Sequence, residues 1–246
     1  MKESPIVVHV PHASLLIPEK YRADYLLSDA DMALELLNMT DRYCDELFDF
    51  GETRVVAPIS RLVCDTERFR EDENEPMAAV GMGAAYTKTC FGRPLRVLTQ
   101  ARKDEILREI YDPHHSRLTE AVSVKLNACG RCLILDGHSF SAVPLPNERD
   151  SSRPDFCIGS DDFHTPDALV RRLTEYIASC GCSVCVNAPF TGSLVPLRYY
   201  RRDTRVISVM IEINRGLYMD AQGRKTKDFD RVKSIAYGIC QCCRRF

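Results

Sequence analysis

The chain has 246 residues, 45% hydrophobic and 28% charged, and its 33 lysines and arginines against 35 aspartates and glutamates leave a net charge of −2. That balance is ordinary for a globular protein and offers no basic surplus to a nucleic-acid partner. No apolar run approaches the roughly 20 residues that span a bilayer, and the opening Met1-Lys2-Glu3-Ser4-Pro5 does not read as a secretory signal, so no membrane partner is expected and the cytoplasm is the expected compartment.

Ile6 to Val10 reads as a first strand that ends at Pro11-His12. Ser28 to Phe50 has helical periodicity, with Met32, Leu36, Leu37, Leu47 and Phe48 on its apolar face. Within it Thr40-Asp41 predicts a fresh helix start, because threonine caps well and acids suit a first turn. Thr53 to Ile59 reads as a second strand. Residues 71–94 form an irregular insertion with an acidic stretch, and residues 81–89 are a candidate lid or binding loop. Gln100 to Leu126 reads as a long helix interrupted at Pro113. Cys132 to Leu135 is a third strand and Pro154 to Ile158 a fourth. Thr165 is expected to cap a helix reaching Ala178, with Pro166 at its first position. Ser183 to Val186 and Val206 to Ile213 are two more strands, and Asp228 to Cys243 a closing helix. This alternation predicts one α/β domain over residues 1–246: a mixed, largely parallel central sheet with helices on both faces. The 12 cysteines include C-x-x-C spacings at Cys129/Cys132, Cys182/Cys185 and Cys240/Cys243, but with no secretory signal read in the chain they are expected to be reduced small hydrophobes rather than a metal cluster.

Three apolar runs end in polar residues: at His12, at Asp136-Gly137-His138-Ser139, and at Glu212-Ile213-Asn214-Arg215. Ligands of open α/β sheets gather beyond the carboxyl ends of strands. The third strand in particular reads as breaking at Asp136, releasing His138 over the sheet edge. A catalytic metal wants three protein ligands and an open fourth position. His12 and His138 are the expected ligands, with Asp41 as the third and Asp45 as its rival. His9 is expected to pack or hydrogen-bond inside its strand, and His114-His115 to pack or face solvent. Glu212 is an acid in a buried run, which is costly unless paired or functional. Beside a metal site it suits a general base, and its alternative is an ion pair with Arg215. Arg61, Arg68 and Arg198 suggest a small anionic substrate, since arginine grips carboxylates with two donors. Ser139 and Asn214, at the same strand ends, join them as candidate substrate contacts. No phosphate-cradling glycine loop, nucleophile elbow or dinucleotide fingerprint is present.

These motifs in order resemble the N-formylglutamate amidohydrolase family. The resemblance rests on Pro11-His12-Ala13-Ser14, Thr40-Asp41 with Asp45, Ser60-Arg61 through Asp65-Thr66-Glu67-Arg68, Asp136-Gly137-His138-Ser139, Arg153-Pro154-Asp155-Phe156, and Glu212 through Tyr218-Met219-Asp220. It implies a fold similar to that of zinc carboxypeptidases (zinc-exopeptidase-like, phosphorylase/hydrolase-like), and one Zn²⁺ per chain held by His12, His138 and an acidic third placed at Asp41. It implies Glu212 as the catalytic glutamate, and cleavage of N-formyl-L-glutamate to formate and L-glutamate. The alternatives are a carboxypeptidase-like hydrolase of a peptide or other acyl conjugate, and a non-catalytic small-molecule-binding relative. Two positions depart from the pattern. Glu67 stands where the family usually has asparagine beside the arginine, and Leu15 where carboxypeptidases carry a ligand glutamate three residues after their first histidine.

Overall fold

One sheet carries the strands β1 (Ile6–Val10), β2 (Thr53–Val56), β3 (Cys132–Phe140), β4 (Phe156–Gly159), β5 (Val184–Val186) and β6 (Val206–Asn214), in the order β2-β1-β3-β6-β4-β5. The computed structural model describes residues 3–146, 148 and 150–246; Met1 and Lys2, part of the opening segment weighed above, lie outside them, as do Asn147 and Arg149. β2, β1, β3 and β6 run parallel, and β4 is antiparallel to β6. The mixed, largely parallel sheet is as expected.

The pleat sends alternate side chains to opposite faces. Ile6, Val8, Leu133, Leu135, Val209 and Ile211 pack on one face against α3 (Cys44–Leu47), α6 (Asp167–Ser179) and α7 (Phe229–Arg244). Val7, Ile134 and Val206 face the other way, against Leu118, Val122 and Leu126 of α5 (Asp112–Cys129). Helices therefore cover both faces. Further along each strand the α5 face changes character. Val7 is followed two residues on by His9, and Ile134 by Asp136 and then His138. Ser208 is followed by Met210 and Glu212. One face thus carries core at its beginning and polar groups at its end.

Several elements depart from expectation for identifiable reasons. β3 does not break at Asp136; it pairs with β6 as far as Phe140 opposite Asn214. Continuing the ladder satisfies the backbone of a fully buried segment, which a break would leave unpaired. Gly137 serves packing instead: a side-chain carbon there would lie 2.7 Å from the ring of Phe48. Gly137→Ala is accordingly expected to cost about 1–3 kcal/mol by overpacking. Urea unfolding checks this, and Phe48→Leu in the same chain should recover part of the loss.

The first long helix, α2 (Asp29–Met39), ends before Thr40, whose backbone is extended. Tyr43 then adopts a left-handed conformation with φ 67°, and α3 begins at Cys44. Asp41 therefore lies in a link rather than a first helical turn, and its N–H donates to the His12 carbonyl at 3.0 Å. Thr165 does not cap α6. Pro166 precedes the first helical residue, Asp167, while the Thr165 hydroxyl donates to the Ser208 carbonyl at 2.6 Å.

The long helix comprises α4 (Gln100–Ile106), a π turn at Leu107–Tyr111, and α5 with Pro113 in its first turn. Proline has no N–H to offer the preceding turn, and the wider turn absorbs that gap. Residues 71–94 hold two short 3₁₀ turns and build a small core from Met82, Tyr86 and Cys90 with Met39, Leu62 and Leu95. All 12 cysteines are free, and Cys44, Cys132, Cys240 and Cys243 are packed in core clusters. Among the described residues no helix is long and apolar enough to cross a membrane.

Candidate active site

β1 delivers His12 just beyond Pro11, β3 carries His138, and the link after α2 turns Asp41 inward between them. The His138 Nδ1 lies 3.1 Å from Asp41 Oδ2, and the His12 Nδ1 lies 3.7 Å from the same oxygen. One ligand atom from each of His12, Asp41 and His138 falls within 4.8 Å of the others, and all three residues are buried. Asp45, the rival acid, is exposed.

Each histidine is backed by a carboxylate. Asp65 Oδ1 holds His12 Nε2 at 2.8 Å, and Asp136 Oδ1 lies 3.1 Å from His138 Nε2. Such outer carboxylates fix the ring orientation and tautomer of metal-ligating histidines. The His12 Nδ1, though buried, has no hydrogen-bond partner, the state of a ligand lone pair awaiting a cation. These residues fit a divalent ion with an open fourth position.

The backing groups are themselves anchored. Arg61 Nη2 donates to Asp65 Oδ2 at 2.8 Å and the Tyr86 hydroxyl donates to the same oxygen. Arg61 is thus engaged in holding Asp65 rather than free for substrate. Tyr86 is the contribution of the 71–94 segment, which does not line the chamber described below. The N–H of Leu194 donates to Asp136 Oδ2, and His9 Nδ1 lies 2.7 Å from Asp136 Oδ1. With His9 donating there, its Nε2 accepts from His114 Nε2 at 2.8 Å. Burial pushes His114 down to about 2, in keeping with a neutral ring. His9, Glu67 and Asp136 also bring ligand-type atoms together, but the direct His9–Asp136 hydrogen bond makes this a support for His138.

Charge balance points the same way. Burial alone would raise Asp41, yet His12, His138 and Arg215 outweigh it and hold its carboxyl well below the usual range. Burial would lower His138, but Glu67 and Asp136 outweigh it and raise the imidazole well above its ordinary value. The cluster thus holds positive charge between its carboxylates. Asp136→Asn is expected to weaken divalent-metal affinity about 10–100-fold while leaving the fold intact. Chelator competition and circular dichroism check this.

Glu212 stands directly opposite His138 in the β3–β6 ladder. Its Oε2 is buried without a partner, and burial, reinforced by Asp41 and Glu67, pushes the carboxyl up to about 8. Arg215 does not neutralise it. That guanidinium donates to Asp41 Oδ1 at 2.8 Å, to the Asn38 carbonyl at 2.6 Å and to the Ser139 hydroxyl at 3.1 Å.

A chamber of about 340 Å³ opens beside Glu67 and Asp136, with Arg68 in its wall. Of the candidate substrate contacts, Arg68 alone lines it. Ser139 is engaged by Arg215. The Asn214 amide donates to the Pro154 carbonyl and its oxygen accepts from the Gly216 N–H, so it caps the chain after β6. Arg198 is exposed on an adjoining cleft. Asp65, Asp136 and His114 were not singled out by sequence as site residues. A signal existed for Asp136, which sits two residues before His138 on the same strand face.

The model of the N-formylglutamate amidohydrolase family matches residues 4–219. The chain belongs to the N-formylglutamate amidohydrolase family. Membership makes it a hydrolase acting on amide bonds. Among solved structures, the N-formylglutamate amidohydrolase from Ralstonia eutropha JMP134 is similar with a TM-score of 0.84 and 21% identity, covering 100% of this chain and 94% of that one. A gene product from Agrobacterium tumefaciens is similar with a TM-score of 0.71 and 18% identity, covering 99% and 92%. Both likenesses extend the mixed α/β fold to this chain. No curated protein matches it.

Proposed function

We propose that this protein is a zinc-dependent amidohydrolase cleaving a small anionic N-acyl amino acid, with N-formyl-L-glutamate, giving formate and L-glutamate, as the first substrate to test. The observation that carries this reading is the buried Glu212 carboxyl opposite His138, its Oε2 without a partner, beside the His12–Asp41–His138 triad. Two imidazoles and one carboxylate with an open position suit Zn²⁺, one per chain. When bound, the ion supplies Lewis-acid polarisation of the amide carbonyl and favours ionisation of water at neutral pH.

The remaining work falls to the chain. Asp65 and Asp136 keep the histidine lone pairs aimed inward. Arg215 anchors Asp41 and Ser139 in place. Glu212 takes the proton of the attacking water and returns it to the leaving nitrogen as the C–N bond breaks. Arg68 grips the substrate carboxylate. We place this activity in a single domain working in the cytoplasm, with no nucleic-acid or membrane partner.

The test is formate release from N-formyl-L-glutamate by zinc-reconstituted protein. Release that stops with a chelator and returns with Zn²⁺ supports the reading. Failure to cleave any N-formyl or N-acetyl amino acid overturns it.

A further inference from the structure

Asp136 and Met210 face each other in the β3–β6 ladder one step before the His138–Glu212 pair, on the same side of the sheet. Two residues along a strand is roughly 6–7 Å. The chamber over Asp136 and Met210 is therefore where a group next to an amide held at His138 and Glu212 would lie.

Its walls combine apolar and aromatic side chains with a few charged ones. Tyr111 and His115 stack with ring centroids 4.2 Å apart, and Tyr200 lines another side. Burial pushes His115 down to about 4, so at neutral pH it adds no charge. At the mouth Phe69 is 48% and Leu197 65% exposed. Two large apolar side chains left in water at one rim are the mark of a ligand contact rather than a core.

The charges are few. Among the described residues Arg68 is the only arginine or lysine in the lining, and its buried Nε has no hydrogen-bond partner. Its Nε lies 3.6 Å from Asp65 Oδ2, an oxygen that already has Arg61. The same lining holds three acids, Glu67, Asp136 and Asp161. Arg61 is tied to Asp65, and Arg198 lies on the neighbouring cleft. One cation, held only loosely by Asp65, answers one carboxylate. With an α-carboxylate on Arg68, a second carboxylate in the chamber would meet Glu67 without a partner, and burying an unpaired charge is costly.

We infer that the chamber binds the apolar or aromatic side chain of an N-acyl amino acid, with Glu67 and Leu197 setting this preference against acidic side chains. The inference rests on the amidohydrolase reading and names the side chain that reading leaves open.

The zinc-reconstituted protein is compared on N-formyl-L-phenylalanine, N-formyl-L-leucine and N-formyl-L-glutamate. The expected result is a kcat/KM at least about tenfold higher for the two apolar substrates, the scale on which apolar pockets discriminate. Leu197→Arg, at an exposed rim position where the fold tolerates it, should shrink that ratio by about tenfold. Equal or better use of the glutamate derivative by the native chain overturns the inference. If none of the three is cleaved, the amidohydrolase reading falls, and calorimetric titration of the same compounds into Glu212→Ala protein decides the chamber separately. Tighter binding of the apolar compounds supports the inference. Tighter or equal binding of the glutamate derivative, or binding of none, overturns it.

Discussion

Glu212→Gln is expected to retain its metal and to lose roughly 10²–10⁴-fold in kcat, the usual worth of a general acid–base group. Glutamine preserves the volume and one acceptor but cannot take a proton from water. Single-turnover kinetics with parallel metal analysis separates the two quantities, and unchanged turnover would remove Glu212 from the mechanism.

The same substitution carries a pH signature in the metal-free protein. Glu212 has an ordinary value of 4.5 and is raised to about 8 in the fold, chiefly by burial. Below pH 4.5 the group is protonated whether the chain is folded or not, and it costs nothing. As pH rises the unfolded chain releases the proton first, so the folded state loses stability progressively up to about pH 8. Removing the acid should therefore stabilise the metal-free fold near pH 8 by on the order of a few kcal/mol and have little effect near pH 4. Thermal unfolding at both pH values tests the sign. Equal stability of the two proteins at pH 8 would mean that Glu212 is solvated or paired.

His138→Ala should abolish stoichiometric metal binding, from about one ion per chain to none, because it deletes one of the three proposed ligands. It also has a cost without any metal. His138 contacts Asp41 Oδ2 through Nδ1, and Asp136 Oδ1 and Glu67 Oε1 through Nε2. Deleting it leaves buried carboxylates short of a positive neighbour, a change worth about 3–5 kcal/mol when a buried pair is broken. Urea unfolding of metal-free protein measures that loss, and inductively coupled plasma analysis measures the metal. Full occupancy in the variant would show that His138 is not a ligand.

Much of this was legible in the chain. The alternation of apolar runs with helical periodicity determined an α/β sheet covered on both faces, since each apolar stripe needs a partner layer. The endings at His12, His138 and Glu212 marked three candidate residues that the fold brings together, because a buried strand tolerates such groups only for a reason. Asp41 was legible as a candidate but in the wrong setting, because Thr40-Asp41 has the local look of a helix start.

Other features depended on contacts distant in sequence. Nothing local in Leu133-Ile134-Leu135-Asp136-Gly137-His138 says that the strand continues, because β6 supplies the partner backbone and Phe48 supplies the reason for Gly137. The assignment of Arg61 to Asp65 and of Arg215 to Asp41 likewise could not be read from composition. An arginine near an acid in sequence has many possible partners, and only folding decides which lies within 3 Å. Local pattern determined the elements and the kinds of group at their ends, since periodicity and burial cost act over a few residues. The tertiary structure decided which histidine nitrogen each carboxylate holds and which arginine lines the chamber, because hydrogen bonds and ion pairs select partners by position in space.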